Sequence, residues 1–209
     1  MPQARASYRL LYFASVVCLV LGGRDVMAQT AEKSALVFSS YSATSSGGDC
    51  IAGTMNAGCG TAPLAEWIAT PFMPSASGTL AYLDVAAVWI NGKRGVVVTL
   101  VNDDGGVPGP ISAGLESFTA ALPKQGAKPN PKVKLTSKLH PALTAGTTYW
   151  VVMAPRYQTS LSSWYLSSTD TNDPDFSTSE GATWNSFNSI FGGPNPPYTN
   201  LPEIAVYEQ

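Results

Sequence analysis

The residues that could do chemistry include two acidic loops with the oxygen ligands that Ca²⁺ prefers. Asp170, Asn172, Asp173 and Asp175 fall close together, and residues 102–104 are Asn-Asp-Asp. Asp and Asn side chains also cap their own backbone in solvated turns. The first loop is therefore either a calcium site or an acidic turn, and the same alternatives apply to the second. No other cofactor is expected.

Aromatic side chains crowd the last quarter of the chain, interleaved with asparagines. A sugar site combines aromatic rings, which cover the apolar faces of a pyranose, with a few polar side chains that bond its hydroxyls. The other interpretation is that the aromatic side chains fill the core. Adjacent residues of a strand point to opposite faces, so only one of Trp164 and Tyr165 can be buried in the core. The candidate ligand-binding residues are Arg156, Tyr157, Trp164, Tyr165, Trp184 and Asn185.

Catalytic patterns are unspecific in this sequence. No G-x-S-x-G elbow occurs, and His140 is the single histidine. Glycoside hydrolysis needs two carboxylates about 5–10 Å apart, and any β-sandwich with this many acids offers several pairs. No catalytic residue is predicted, although four acids lie on or near predicted strands: Asp84, Glu116, Glu180 and Glu203.

The first 28 residues have the layout of a secretory signal peptide. Arg5 and Arg9 precede an apolar run at 10–21, and Ala28 ends a segment that suits signal peptidase. The apolar run is shorter than the roughly 20 residues that span a bilayer. We therefore expect a secreted or periplasmic protein with no membrane span in its mature part.

The mature part, residues 29–209, is predicted to form a single domain. The full chain has 12 basic and 14 acidic residues; without the signal, nine and 13 remain, a net charge of −4. No basic stripe of the kind that binds nucleic acid is present. We therefore expect no nucleic-acid partner.

Two cysteines remain after the signal, Cys50 and Cys59, in a Gly/Ser-rich stretch at 45–60. An even number of cysteines in an exported chain predicts a disulfide. We expect this disulfide to close a loop.

Short β-rich runs recur along the mature chain, divided by turn residues and without a sustained 3.6-residue period. This pattern predicts an all-β, two-sheet antiparallel sandwich, jelly-roll-like. In the long run at 79–90, the alternation turns Ala81, Leu83, Val85, Ala87 and Trp89 to the core. Asn91-Gly92 is predicted to close a hairpin. The predicted strands are 36–40, 67–72, 79–90, 96–101, 115–120, 132–139, 147–154, 162–167, 184–191 and 203–207.

Two turn motifs, DGGVPG at 104–109 and LTAGTTYW at 143–150, occur in the order seen in the choice-of-anchor family. The chain resembles these secreted bacterial β-sandwich domains over about residues 66–207. The motifs are turns and strand starts, so the resemblance implies a fold and no ligand. Only Glu208 and Gln209 follow Tyr207, with no sorting tail, so the resemblance implies a freely secreted or periplasmic product.

The leading functional hypothesis is a non-enzymatic, exported binding or interaction protein. Its expected partner is an extracellular glycan or an envelope protein. The alternatives are a dedicated carbohydrate-binding module and an exported glycoside hydrolase.

Overall fold

The computed structural model describes residues 33–42, 45–52, 65–127, 131–169, 174–177, 179–186 and 200–209, with the backbone alone for 45–52. These residues belong to one compact unit, Glu32–Gln209. No helix within them is long and apolar enough to cross a membrane. The predicted signal peptide lies outside the described residues.

Short strands and one 3-10 turn make up the regular structure of the described ranges. They are β1 (Ala35–Ser39), β2 (Ser45–Ala52), β3 (Trp67–Phe72), β4 (Gly78–Val85), β5 (Ala87–Asn91), β6 (Val96–Asn102), η1 (Ile111–Ala113), β7 (Glu116–Ala120), β8 (Val133–Thr136), β9 (Ala142–Leu143), β10 (Tyr149–Pro155), β11 (Leu161–Ser167), β12 (Asp175–Ser177), β13 (Asn185–Ser186) and β14 (Ile204–Glu208).

The strands form three sheets whose ladders are antiparallel. The five-stranded sheet has the order β1-β14-β4-β8, with β9 also on β4. The six-stranded sheet has the order β13-β12-β3-β10-β6-β7, and the three-stranded sheet is β2-β11-β5. The predicted all-β antiparallel class is confirmed, with three sheets where two were expected. The jelly-roll connectivity stays a prediction.

One hydrophobic core collects side chains from all three sheets. Val206 comes from the five-stranded sheet, Trp164 from the three-stranded sheet, and Tyr149, Val151 and Met153 from the six-stranded sheet. The last three are alternate residues of β10 and share one face, as the strand period requires. The residues between them therefore face the other side of that sheet.

The long strand predicted at 79–90 is broken at Ala86 and continues as β4 and β5 in two different sheets. The Ala86 N–H donates to the Glu203 carbonyl at 3.1 Å, and the Tyr165 N–H donates to the Ala86 carbonyl at 2.8 Å. The Glu203 N–H in turn donates to the Tyr165 carbonyl at 2.8 Å. These bonds join the five-stranded and three-stranded sheets at one point. Of the predicted core face, four residues are buried and Trp89 is half-buried: the buried ones are Ala81, Leu83, Val85 and Ala87.

The Gly/Ser-rich stretch, predicted as a loop at 45–60, is in part a strand. Residues 45–52 form β2, which pairs with β11 and places Cys50 opposite Ser163. Glycine lowers strand propensity, but a full ladder with β11 supplies hydrogen bonds that the sequence alone does not reveal. Cys59 lies outside the described residues, so the disulfide stays a prediction.

The predicted hairpin at Asn91-Gly92 is wrong, although the turn itself is present. Gly92 has a φ of 74°, a conformation that favours glycine. The strands on either side of the turn do not pair with each other: β5 pairs with β11, and β6 pairs with β10 and β7. Residues 92–95 therefore cross from the three-stranded to the six-stranded sheet.

The turn of the first motif has the expected geometry. The Asp104 N–H donates to the Val107 carbonyl and the Gly109 N–H to the Asn102 carbonyl, both at 2.9 Å. Gly105 has a φ of 69°. The motif thus reverses the chain after β6.

Replacing Trp164 with alanine is expected to lower the free energy of unfolding by about 3–5 kcal/mol. Trp164 is fully buried, and its indole N–H donates to the Glu203 carbonyl at 3.1 Å. Chemical denaturation measures the loss. The matched control, Leu139→Ala at a residue that is 70% exposed, should change stability by less than about 0.5 kcal/mol. Equal losses in both variants would contradict this placement of Trp164.

Candidate functional site

The outer face of the six-stranded sheet carries a second apolar cluster. Trp150 and Val152 of β10 are buried there. They alternate along the strand with the residues that face the core. Half-buried Trp67, Ile111 and Trp184 pack against them. Two partly exposed indoles, Trp67 and Trp184, therefore lie on the outer face of this sheet.

A pocket of about 260 Å³ opens beside Trp67. Its walls come from the start of β3, the segment after β10 and the loop before β13. The described residues that line it are Ala65, Trp67, Pro155, Arg156, Tyr157, Gln158 and Glu180. The pocket thus joins two aromatic rings to a cation, an amide and a carboxylate.

The segment that carries Arg156 and Tyr157 is fixed by the crossover at 92–95. The Arg156 N–H donates to the Gly95 carbonyl at 3.2 Å. The buried Ser160 hydroxyl donates to the Lys93 carbonyl at 2.8 Å and lies 3.1 Å from the Gly95 carbonyl. The Ser160 backbone N–H donates to the Tyr157 carbonyl at 2.9 Å. Ser160 therefore holds the crossover and the pocket segment together.

Two cations lie over the Tyr157 ring. The Lys93 Nζ is 5.1 Å from the ring centroid, and the Arg156 Cζ is 5.3 Å from it. Both side chains are exposed and Tyr157 is half-buried. Cation–π contacts at exposed sites contribute about 0.5–1 kcal/mol each. The contacts hold both charges beside the Tyr157 ring, and Arg156 also lines the pocket.

Glu180 enters the pocket from a strained turn. Its φ of 57° lies in the left-handed region, which a non-glycine residue seldom adopts, and Gly181 follows with a φ of 81°. A Cβ at Gly181 would lie 2.9 Å from the Trp67 ring, so the turn can approach the indole only with glycine there. The Ser177 hydroxyl anchors the turn by accepting the Gly181 N–H at 2.9 Å. Backbone strain of this kind is often found at ligand sites.

The structure brings together only part of the predicted ligand-binding set. Arg156 and Tyr157 line the pocket, and Trp184 packs on the same cluster as Trp67. Asn185 is half-buried in β13, at the edge of the six-stranded sheet.

The other two predicted ligand-binding residues, Trp164 and Tyr165, lie elsewhere. Trp164 was wrongly predicted as a ligand residue, because its side chain fills the core and has no exposed surface. Tyr165 is half-buried on β11, in the three-stranded sheet, away from the pocket lining. The pair does obey the strand rule, since one of its members is buried and the other is not.

The predicted calcium ligands Asp170, Asn172 and Asp173 lie outside the described residues. Asp175 is described, and its side chain is buried in β12. No group of three or more His, Cys, Asp or Glu side chains able to hold a metal occurs in the described part of the chain. The calcium site stays a prediction.

In the second acidic loop, Asp103 has a structural role. Its Oδ1 accepts the Trp150 indole N–H at 2.7 Å, and its Oδ2 accepts the Gly106 N–H at 3.0 Å. The carboxylate therefore ties the turn to the outer aromatic cluster.

Of the four acids weighed for hydrolysis, Asp84 and Glu203 lie near Tyr41, and Glu116 and Glu180 lie elsewhere. Glu116 is buried, and its Oε2 accepts the Ser137 hydroxyl at 2.5 Å while its Oε1 accepts the Lys138 N–H at 2.7 Å. Glu203 has no exposed surface, and its Oε1 accepts the Ser42 hydroxyl at 2.9 Å. Glu180 is the one of the four that lines the aromatic pocket.

Tyr41, Asp84 and Glu203 form a separate cluster next to the five-stranded sheet, in which Glu203 is buried and the other two are half-buried. Burial raises the pKa of Tyr41, and the charges of Asp84 and Glu203 raise it further. Burial also raises the pKa values of both carboxyls, against the opposing charge of Lys132. Lys132 Nζ lies 4.2 Å from the centroid of the Tyr41 ring. Because Glu203 is fully covered, this cluster supports the fold and offers no carboxylate pair to a substrate.

His140 lies in the exposed segment after β8, with a φ of 47°. Its Nδ1 is 3.0 Å from the Leu80 carbonyl. This contact fixes the ring against a main-chain oxygen.

A larger groove of about 500 Å³ runs between β7 and β8, where the edges of two sheets face each other. Phe118 and Leu135 in its lining are already buried, and its one carboxylate, Glu116, accepts hydrogen bonds from the Ser137 hydroxyl and the Lys138 N–H. The aromatic pocket has the more suitable chemistry for a small ligand, despite its smaller volume.

Sequence reasoning missed Trp67, Gln158 and Lys93 as site residues. The alternation rule could have found Trp67: Ile68 is a core residue, so its neighbour must face outward. No local signal marks Lys93, because the crossover that brings it to Tyr157 depends on pairings between distant strands.

Comparison of the chain with family models, curated proteins and solved structures gave no match. The resemblance to choice-of-anchor domains therefore stays a prediction.

Stability is expected to decrease as the pH rises from acid to neutral. Burial raises the pKa values of Asp84, Glu203 and Glu208 above their ordinary values of 3.8, 4.5 and 4.5. An acid with a raised folded-state pKa stabilises the fold fully below its ordinary pKa, and this stabilisation is lost as the pH rises through the folded-state value. Thermal melting between about pH 4 and 8 measures the effect.

Glu203→Gln should flatten this pH dependence, because an amide has no charge to desolvate. The control is Leu139→Ala, at an exposed side chain that carries no charge, and it should leave the slope of Tm against pH unchanged. If Tm changes with pH equally in the Glu203→Gln variant and the wild type, Glu203 does not contribute to the pH dependence of stability.

Proposed function

We propose that this chain is a non-enzymatic sugar-binding protein whose site is the aromatic pocket around Trp67. The observation that supports this most is the convergence of the Trp67 and Tyr157 rings with Arg156, Gln158 and Glu180. Aromatic faces cover the apolar side of a pyranose, while charged and amide groups bond its hydroxyls.

The size and composition of the pocket agree with one sugar ring. Its volume of about 260 Å³ lies just below the roughly 300–1,000 Å³ of pockets that hold drug-sized ligands. The site is also open at the sheet surface, so a ring within a longer chain can enter from the side. Export to the outside of the cell, as the N-terminal sequence predicts, would bring the protein to such glycans.

An exported hydrolase remains the alternative function. Hydrolysis requires two carboxylates on either side of the scissile bond. Glu180 is the single carboxylate among the described residues that line the pocket. A binding function needs no second carboxylate, so it explains this site better than hydrolysis does.

Trp67→Ala is expected to weaken sugar binding at least about tenfold, because the variant removes the larger ring of the site; tenfold corresponds to about 1.4 kcal/mol. A glycan array with purified protein identifies the sugar, and calorimetry then measures the affinity of each variant. Tyr207→Ala is the matched control. Its ring is also half-buried, but it stacks on Tyr82, 4.1 Å between centroids, on the five-stranded sheet.

The control should bind as tightly as the wild type. No retention on any glycan, or equal losses in Trp67→Ala and Tyr207→Ala, would refute the proposed site.

Gly181→Ala offers a milder test of the same geometry. The added methyl group strains a residue with positive φ and displaces the Trp67 ring, so we expect weaker sugar binding in a variant whose circular dichroism spectrum remains that of the wild type. Gly126→Ala is the control, since it has a similar φ of 79° and open space around its Cβ. Equal sugar affinity in the two glycine variants would contradict the proposed role of the turn.

A further inference from the structure

We infer that the pocket binds an acidic sugar, a hexuronate whose carboxylate lies against Arg156 and Lys93. This inference rests on the proposed sugar-binding function and names the class of sugar. It comes from the two cations at the Tyr157 ring, which a neutral sugar does not require.

Two positive charges meet at the Tyr157 ring although the chain as a whole is negative. The full chain has a net charge of −2, yet Lys93 and Arg156 converge on one ring, 5.1 and 5.3 Å from its centroid. They come from distant parts of the sequence, the β5–β6 crossover and the segment after β10. Ser160 holds these two parts together through hydrogen bonds to the Lys93 and Gly95 carbonyls. The fold therefore holds the backbone of both segments in place, with a positive side chain from each beside Tyr157.

The chemistry of these cations matches a carboxylate. A guanidinium forms paired, parallel hydrogen bonds with the two oxygens of a carboxylate, and an ammonium adds a point charge. Arg156 lines the pocket, while Lys93 reaches the same ring from the crossover. Both side chains are exposed and can meet an entering ligand.

Glu180 supplies the complementary half of the recognition. A carboxylate accepts hydrogen bonds from hydroxyl groups and repels another carboxylate. An acidic sugar would therefore turn its hydroxyls to Glu180 and its carboxylate to Arg156. Opposite charges in one small pocket thus orient the ring, with Trp67 beneath it.

The test compares two ligands that differ only in the acid group. Purified full-length protein is titrated by calorimetry with galacturonate oligomers and with galactose oligomers of the same linkage and length. We expect the galacturonate oligomers to bind at least about tenfold more tightly. This preference should decrease as salt is added, because exposed charges are screened.

Arg156→Gln should lower galacturonate affinity about tenfold and lower galactose affinity much less, because only the acidic sugar loses the pairing of its carboxylate. Lys138→Gln, an exposed lysine beside the β7–β8 groove, is the control and should bind like the wild type. Dextran sulfate is the polyanion control and should bind more weakly than galacturonate.

The outcomes separate this inference from the proposed function. Equal binding of both oligomers, with Arg156→Gln unaffected, overturns the acidic preference and leaves sugar binding standing. Dextran sulfate that binds as tightly as galacturonate also overturns it, because the pocket would then attract any anion. Absence of binding to every sugar tested overturns both.

Discussion

The hydrogen bonds around Ala86 are the constraint on which the other features of the structure depend. A single residue separates β4 from β5, and its N–H and carbonyl bond to Glu203 and Tyr165 respectively. Two sheets are thereby joined beside a common core. Trp164 fills that core next to the junction, and its indole bonds to the same Glu203 carbonyl. These two sheets cover one side of the core. The six-stranded sheet covers the opposite side, and its other face carries the outer apolar cluster.

That outer face explains why the candidate site occurs where it does. β10 contributes alternate residues to the core and to the outer cluster, so its regular pairing with β3 and β6 positions both. The segments that end or flank these strands then supply the polar groups. Arg156 follows β10, and Glu180 lies in the strained turn before β13. A rigid sheet with polar groups on its flanking segments is a common plan for binding sites, because strands are precise and loops can vary.

Alternation along the strands, read from the sequence alone, predicted much of the fold. It correctly placed Ala81, Leu83, Val85 and Ala87 in the core, because strand period and burial are local properties. It did not predict the break at Ala86, where neither glycine nor proline marks the change of sheet. The bonds that cause this break come from residues about 80 and 120 positions further along the chain. The same reason explains β2, whose glycines suggested a loop until β11 supplied a partner.

The candidate site was predicted in part. Arg156 and Tyr157, named from the sequence, do line the pocket, while Trp184 packs on the neighbouring apolar cluster. Trp164 was wrongly included, since composition does not show which of two adjacent aromatic side chains faces the core. Trp67 and Lys93 were missed, because three segments far apart in sequence meet only in the folded sheet.

The chain has five tryptophans, and their indole N–H signals allow the most direct test of the central claim. A ¹⁵N-labelled sample is titrated with galacturonate oligomers, and the tryptophan signals are followed by two-dimensional NMR. The account predicts a large shift for Trp67 and no shift for Trp164, which is enclosed in the core. A Trp67 signal that stays unchanged at saturating sugar would contradict it.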